Sequence, residues 1–172
     1  MSGAVFKQHA NIRLSSKVQA KLAKFREGSK SYGAFYVTSN GRGWGYQAAS
    51  VNSQDADMMA KTGCEASNGR KCVLFATLSP TNTAAPNALP ARFREDLEAP
   101  LRDNRGEFAL AVAPIGPAGW SWNYEFGKDA KTRALEECRT RADKRKQDTQ
   151  PIAVRNAFAK SGAFTCRIHL SF

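Results

Sequence analysis

The four cysteines of this 172-residue chain are the residues whose spacing says most about the chemistry they can perform. In each half of the sequence one cysteine lies near the end of a predicted helix and the other begins the next strand: Cys64 and Cys72, then Cys138 and Cys166. Neither spacing matches the close Cys and His pairs of a zinc site. We therefore expect disulfides Cys64–Cys72 and Cys138–Cys166, which in the chain-entropy model contribute about 2.5 and about 3.5 kcal/mol of stability. The alternative is four reduced, buried thiols in a cytosolic protein.

The expected disulfides also indicate the compartment, because such bonds persist in oxidising surroundings. We expect a periplasmic or secreted protein, with a cytoplasmic location as the alternative. Residues 3–6 are too short an apolar stretch for a signal peptide, so export requires that a leader has been removed. No apolar run reaches about 18 residues, and we predict no membrane span.

Aromatic residues on the second strand of each predicted hairpin could bind a ligand by stacking. They are Trp44, Tyr46, Trp120, Trp122 and Tyr124. Rings beside arginine and lysine can stack on sugars or on unpaired bases. The alternative is that these rings form the core beneath the helices, where small side chains leave room for them: Ala56, Ala60, Ala130 and Ala134.

Positive charge is the second feature that could bind a partner. The chain has a net charge of +11, and residues 1–30 contribute seven basic residues against Glu27 alone. A helix predicted over 12–28 has Lys17, Lys21 and Lys24 on its polar face, and one over 128–145 presents basic residues that include Arg141 and Arg145. Such surfaces attract polyanions: nucleic acid, anionic lipid or acidic wall polymers. The alternative is a solvated face without a specific partner.

The residues for catalysis are few. The histidines are His9 and His169, and no nucleophile elbow, phosphate-binding loop or dinucleotide fingerprint is present. Asp55 and Asp129 each lie at a predicted helix start, where a carboxylate stabilises the helix dipole. We therefore predict no catalytic residue, no cofactor and no metal.

A motif that occurs twice positions these residues. Its parts are an apolar strand, Gly-Trp, Asp-Ala, a helix with Ala-x-x-x-Ala-x-x-x-Cys, and a strand that begins with cysteine. The first copy aligns Trp44 with Trp120 of the second. The pattern predicts an α+β fold of two β-hairpin–helix–strand repeats with antiparallel sheets, each repeat preceded by a helix.

We divide the chain into four segments on this basis. They are a basic N-terminal helical arm (1–30), a first repeat (31–79), a Pro-rich linker with a short helix (80–105), and a second repeat with an insertion (106–172). Within the insertion, residues 151–158 are predicted to form an added strand.

These motifs resemble the bacterial domain of unknown function 4189, over residues 32–78 and 106–172. Trp44 and Trp120 match the tryptophan of that family, and the four cysteines match its cysteine pair in two copies. The resemblance implies a small exported protein in which a disulfide ties helix to strand, and it brings no catalytic residues. The chain departs from the family in the insertion before Cys166 and in lacking the usual Cys-Ala-Ala tail.

The leading functional prediction is a non-enzymatic, secreted or cell-envelope binding module that uses a basic, aromatic-bearing surface. Its partner would be an anionic polymer or a protein. One alternative is a nucleic-acid-binding protein, and another is an enzyme inhibitor or an uncharacterised enzyme. The oligomeric state is not predicted. We expect specific function where the two copies differ, in the basic arm and in residues 139–165.

Overall fold

The computed structural model of the chain describes residues 4–27, 31–81, 107–116, 118–122 and 129–171. Within these residues the protein has four helices and two antiparallel sheets, of four and three strands. This architecture confirms the predicted α+β class. None of the described helices is long and apolar enough to cross a membrane.

The first unit is a four-stranded sheet with a helix on each face. Its elements are β1 (Ala4–Gln8), α1 (Ser16–Glu27), β2 (Tyr32–Thr38), β3 (Trp44–Ser50), α2 (Ser53–Asn68) and β4 (Cys72–Pro80), and the strand order is β1-β4-β2-β3. Alternation along β2 explains the two layers. Phe35 and Val37 pack with α1 around Val18 and Phe25, whereas the intervening Tyr36 packs with α2.

Local sequence sets the ends of α2. The side chain of Asn52 accepts a hydrogen bond from the Asp55 N–H at 2.8 Å, which caps the helix. Gly69 ends it in the left-handed conformation, with φ of 60°. Between these caps Ala56 and Ala60 face the sheet, and their small side chains let the helix approach it closely.

The second unit is a three-stranded sheet with order β6-β5-β7. Its elements are β5 (Phe108–Val112), β6 (Ala118–Trp122), α3 (Ala130–Asp148), α4 (Ile152–Lys160) and β7 (Arg167–Ser171). The alanines of α3 pack on Ala109 and Ala111 of β5. Asp129 caps α3 by accepting a hydrogen bond from the Thr132 N–H at 2.8 Å.

Three strands of the first unit, in the order β3-β2-β4, correspond to β6-β5-β7 of the second unit. In both, the central strand and the closing strand shift register at one residue, Phe75 in β4 and His169 in β7. The glycines beside the helices also correspond: a Cβ on Gly45 would lie 2.4 Å from the Cys64 nitrogen, and one on Gly119 would lie 2.4 Å from the Cys138 nitrogen. That the units arose as a sequence repeat stays a prediction.

This correspondence corrects the alignment of the tryptophans. Tyr46 pairs with Phe35 as Trp120 pairs with Leu110, so Tyr46 and not Trp44 holds the position equivalent to Trp120. Aligning the two Gly-Trp pairs therefore places the copies two residues out of register. The glycine that contacts the helix is Gly45, which follows Trp44, in the first unit and Gly119, which precedes Trp120, in the second.

One other prediction is incomplete, and another is wrong. The N-terminal segment contains the predicted helix as α1, which packs on the first sheet, and it also contains strand β1, which pairs with β4 along its whole length. Residues 151–158 do not form a strand, because α4 runs through Ile152–Lys160. Pro151 precedes its first turn, where the missing N–H is harmless, and Val154 and Phe158 share one face. The helix predicted before the second repeat lies outside the described residues.

The units contact each other through α2. Met59 belongs to the core cluster of the second unit, and Gly63 lies against Phe158 of α4. Arg167 of β7 forms an ion pair with Asp55, whose side chain is only 6% exposed. This contact explains the buried carboxylate at the helix start, which the sequence assigned to the helix dipole alone.

Candidate ligand-binding groove

A groove of about 620 Å³ lies between the edge strand β3 and the helices of the second unit. Small-molecule and peptide sites commonly have volumes in this range. We call it the β3 groove, and its lining residues come from five places in the chain. They are Trp44, Gly45, Tyr46, Gln47, Met59, Gly63, Ser67, Asn68, Ile115, Arg145, Asp148, Thr149, Gln150, Val154 and Phe158.

Close packing of β3 on α2 sets one wall of the groove. Gly45 has no side chain, and the Cα and Cβ of Cys64 occupy the space where its Cβ would lie, each 2.7 Å away. The Cys64–Cys72 disulfide ties that turn of α2 to β4. The edge strand is therefore held against the helix, and its outer edge lines the groove.

Trp44 and Tyr46 are on the α1 side of β3. The Tyr46 ring stacks on Phe35 with centroids 5.7 Å apart, and it meets Phe25 edge-on at 5.8 Å. Tyr46 is nevertheless 40% exposed. The Tyr46 ring therefore fits both sequence-based interpretations: one side of it packs in the core, and the other side lines the groove.

Two lysines of α1 lie over the Trp44 ring. The Nζ of Lys17 is 5.3 Å from the ring centroid, and that of Lys21 is 5.9 Å away. Cation–π contacts of this kind hold the charge at the aromatic face without neutralising it. An anion beside Trp44 would therefore meet two positive charges.

The opposite wall is formed by the end of α3 and by α4. Arg145 and Asp148 line it beside the apolar side chains of Val154 and Phe158. Arg155 holds the turn between the helices, because its guanidinium donates to the Thr149 and Gln147 carbonyls, each at 3.1 Å. The wall thus combines one cation, one carboxylate and an apolar surface.

A second, more polar hollow of about 350 Å³ adjoins the Trp44 end of the groove. Asn68 lines both spaces, and the hollow brings Arg42 of the β2–β3 turn together with Arg70. Positive charge therefore continues past Trp44 in the direction of the hairpin turn.

The structure brings together half of the predicted binding residues. Trp44, Tyr46 and Arg145 line the groove, and Lys17 and Lys21 lie over its first ring.

Lys24 and Arg141 are not at this site. Lys24 is exposed on α1 and does not line the groove. Arg141 forms an ion pair with Glu137 and donates to the Ala118 carbonyl at 2.9 Å. The side chains of Trp120 and Trp122 and the whole of Tyr124 lie outside the described residues.

Both predicted disulfides are confirmed. Cys64 is bonded to Cys72 and Cys138 to Cys166, each joining the helix to the closing strand of its own unit. Among the described residues no three His, Cys, Asp or Glu side chains are grouped as they would be to hold a metal ion.

Sequence reasoning missed the second wall and the adjoining hollow. Val154 and Phe158 have the four-residue spacing of one helix face, a signal that the β-branched residues of this segment obscured. Arg42 and Arg70 are 28 positions apart in the sequence, and only the fold brings them together.

Two side chains with shifted pKa values lie away from the groove. Burial, and then a 2.5 Å hydrogen bond to Asp57, raise the pKa of Tyr36 far above its usual range. Burial, and secondarily the charge of Arg167, lower the pKa of His169. Both shifts follow from packing on the sheets, and neither group lines the groove.

A scan against known protein families, a search of curated proteins and a search of solved structures found no match to this chain. The resemblance to the domain of unknown function 4189 therefore stays a prediction.

Proposed function

We propose that this protein is a non-enzymatic binding module of the cell envelope or of the secreted fraction, and that the β3 groove is its site for an anionic ligand. The observation that carries the proposal is the joint placement of an exposed aromatic ring and of cations that outnumber Asp148, the one carboxylate among the described lining residues. Tyr46 is 40% exposed in the groove, two lysines lie over the neighbouring Trp44, and Arg145 faces them from α3.

The lining chemistry supports binding more than catalysis. Asp148 is the single carboxylate among the described lining residues, and none of them is a histidine or a cysteine. General acid–base or nucleophilic catalysis draws on such groups, placed within hydrogen-bond reach of each other. The two disulfides support export, because they persist in oxidising compartments.

A nucleic acid is the second candidate ligand. Trp44 with Lys17 and Lys21 has the combination on which unpaired bases stack while phosphates meet cations. Added salt weakens the binding of either polyanion, so the two candidates are separated by which probe binds the groove.

The test is an NMR titration of the full chain at low and high salt. The probes are a glutamate-rich peptide, a teichoic acid fraction and an oligothymidylate. We expect at least one probe to shift the Trp44 indole and Tyr46 amide signals. Arg145→Gln should weaken that binding about two- to fivefold, whereas Arg139→Gln, an exposed residue of the same helix outside the groove, should leave it unchanged. If no probe shifts those signals, the groove is not an anion site.

A further inference from the structure

We propose that the natural ligand of the β3 groove is an extended peptide segment that adds a strand to β3, with acidic and apolar residues in alternation. This proposal builds on the function proposed above and names the ligand class. It starts from the hydrogen bonds of β3, which pairs with β2 and with no other described strand.

The outward-facing groups of β3 follow from its register. The Thr38 N–H donates to the Gly43 carbonyl at 3.0 Å, so Gly43 faces β2. Alternation in an antiparallel ladder then places Gly45 and Gln47 toward β2, and directs the N–H and C=O groups of Trp44 and Tyr46 away from it. Trp44 and Tyr46 are both among the residues that line the groove.

The outer edge of β3 is open to a partner. Asn68 donates a long hydrogen bond of 3.5 Å to the Trp44 carbonyl, and no described residue pairs with the outward N–H and C=O of Tyr46. An unprotected edge that also exposes an aromatic ring invites pairing with another chain, so folded proteins usually block such edges. Here the edge opens into a groove.

The length of the free edge is limited at both ends. At one end the β2–β3 turn precedes Trp44. At the other end β3 has a bulge, in which Ala48 and Ala49 together lie opposite the single residue Gly33 of β2. Ala49 has a φ of 68°, which breaks the ladder. An added strand therefore pairs with residues 44–47, the four residues of β3 that line the groove.

The two faces of an added strand would meet different surroundings. Side chains on the face of Trp44 and Tyr46 would approach Lys17 and Lys21, which favours glutamate or aspartate there. Side chains on the opposite face would point toward the floor and wall formed by Met59, Gly63, Val154 and Phe158, which favours apolar residues. The expected ligand pattern is therefore acidic, apolar, acidic, apolar.

Charge selects the same ligand over a neutral peptide. Among the described residues that line the groove or lie over Trp44, the cations are Lys17, Lys21 and Arg145 and the carboxylate is Asp148; the adjoining hollow adds Arg42 and Arg70. No ion pair with a described carboxylate engages Arg145. A peptide with acidic residues would thus be attracted along the whole edge and past the Trp44 end.

Binding of a synthetic peptide of alternating glutamate and valine tests the proposal. Its affinity is compared with that of a peptide of the same composition with the two residue types in separate blocks. We expect the alternating peptide to bind at least about tenfold more tightly, because only it satisfies both faces. Equal affinity would mean that charge alone attracts the peptide, and the strand-addition model would be wrong.

Backbone methylation isolates the strand pairing from the side chains. One version of the alternating peptide is N-methylated at its glutamates and another at its valines, so that only one version loses the amides that face β3. We expect one version to lose at least about tenfold in affinity and the other to change little. If both versions bind like the parent peptide, no strand is added.

Lysine variants test the acidic face. The double variant Lys17→Gln and Lys21→Gln should weaken the alternating peptide about fivefold or more, whereas Lys24→Gln on the same helix should change its affinity less than about twofold. Equal effects of the double and the control variant would contradict the assigned direction of the acidic side chains.

Amide exchange of the free protein shows whether the edge is open. We expect the Tyr46 amide to exchange faster than that of Gly45, which is in the ladder, and to slow when the peptide binds. If the Tyr46 amide is protected from exchange in the free monomer, or is protected by dimer formation, the edge of β3 is already paired and the proposal is wrong.

The titrations also separate this inference from the proposed function. If the teichoic acid or the oligothymidylate shifts groove signals while the peptide does not, only the peptide inference fails. If none of the probes shifts them, the proposed function fails as well.

Discussion

Replacing Gly45 by alanine should destabilise the protein strongly, because β3 lies in direct contact with α2 at this residue. A Cβ there would lie 2.4 Å from the Cys64 nitrogen and 2.7 Å from the Cys64 Cα and Cβ. Ordinary contacts are 3.4–4 Å, so strand and helix would have to separate by about 1 Å. Rotating a side chain cannot relieve the clash, since the obstructing atoms are backbone and the Cβ of a half-cystine.

The expected magnitude is at the upper end of what overpacking costs, about 3 kcal/mol. For a chain of this length, each 1 kcal/mol lowers Tm by about 2–4 °C, so Gly45→Ala should lower Tm by about 6–12 °C. Urea unfolding followed by circular dichroism gives the free energy of unfolding directly.

Gly63→Ala is the matched control, because Gly63 also lies in the groove. Its nearest obstacle is the Cζ of the Phe158 ring at 3.3 Å, and a helical alanine gains about 1 kcal/mol over glycine. The net change should stay within about 1 kcal/mol. If Gly45→Ala is as stable as Gly63→Ala, β3 does not pack on α2 as described, and the groove wall is misplaced.

Three further changes have defined outcomes. Ala49→Gly should raise the free energy of unfolding by up to about 1 kcal/mol, since φ is 68° there, whereas Ala48→Gly should lower it by about 0.5–1 kcal/mol in the same urea titration. Burial and the charge of Arg167 lower the pKa of His169, Asp55 opposes this shift, and the His169 Nε2 has no hydrogen-bond partner among the described residues. As pH falls, the unfolded state therefore binds a proton at His169 before the folded state does. The free energy of unfolding should decrease as pH drops through about 6.5, the usual pKa of an unfolded histidine. His169→Phe removes that loss, so its advantage over the parent protein should grow between pH 7 and pH 5, and a constant difference would contradict the pKa shift. Replacing Cys138 and Cys166 by serine should lower Tm more than replacing Cys64 and Cys72, because the longer loop makes the first disulfide contribute about 3.5 kcal/mol and the second about 2.5 kcal/mol. The reverse order would exclude loop entropy as the cause.

Short-range patterns made much of the fold predictable. A turn signal between β-branched and aromatic runs, an alanine-lined helix and a closing cysteine lie within a few dozen residues of each other, and the structure has these elements where the sequence placed them. The pairing of the cysteines followed from the same local order. Strand β1 was missed because its pairing with β4 joins residues about seventy positions apart, which no local period reveals.

The candidate site was predictable only in part, for a related reason. Trp44, Tyr46 and the lysines of α1 were recognisable by residue type, and the register places them together. The apolar wall was not recognisable, because Ile152 and Val154 favour a strand locally. Burial of Val154 and packing of Phe158 on the core of the second unit favour a helix instead. Pairing Trp44 with Trp120 failed because packing aligns the glycines that touch the helices, whatever residue stands beside them.

All four cysteines bond within their own unit, so no covalent cross-link spans the contact between α2 and α4. The width of the β3 groove thus depends on Met59, on the approach of Gly63 to Phe158 and on the ion pair of Asp55 with Arg167. Reductant would weaken each unit from inside, whereas added salt would screen the ion pair at the junction. A ligand that touches β3 and α4 together would fasten the units to each other, and its affinity would then include the free energy of closing that junction.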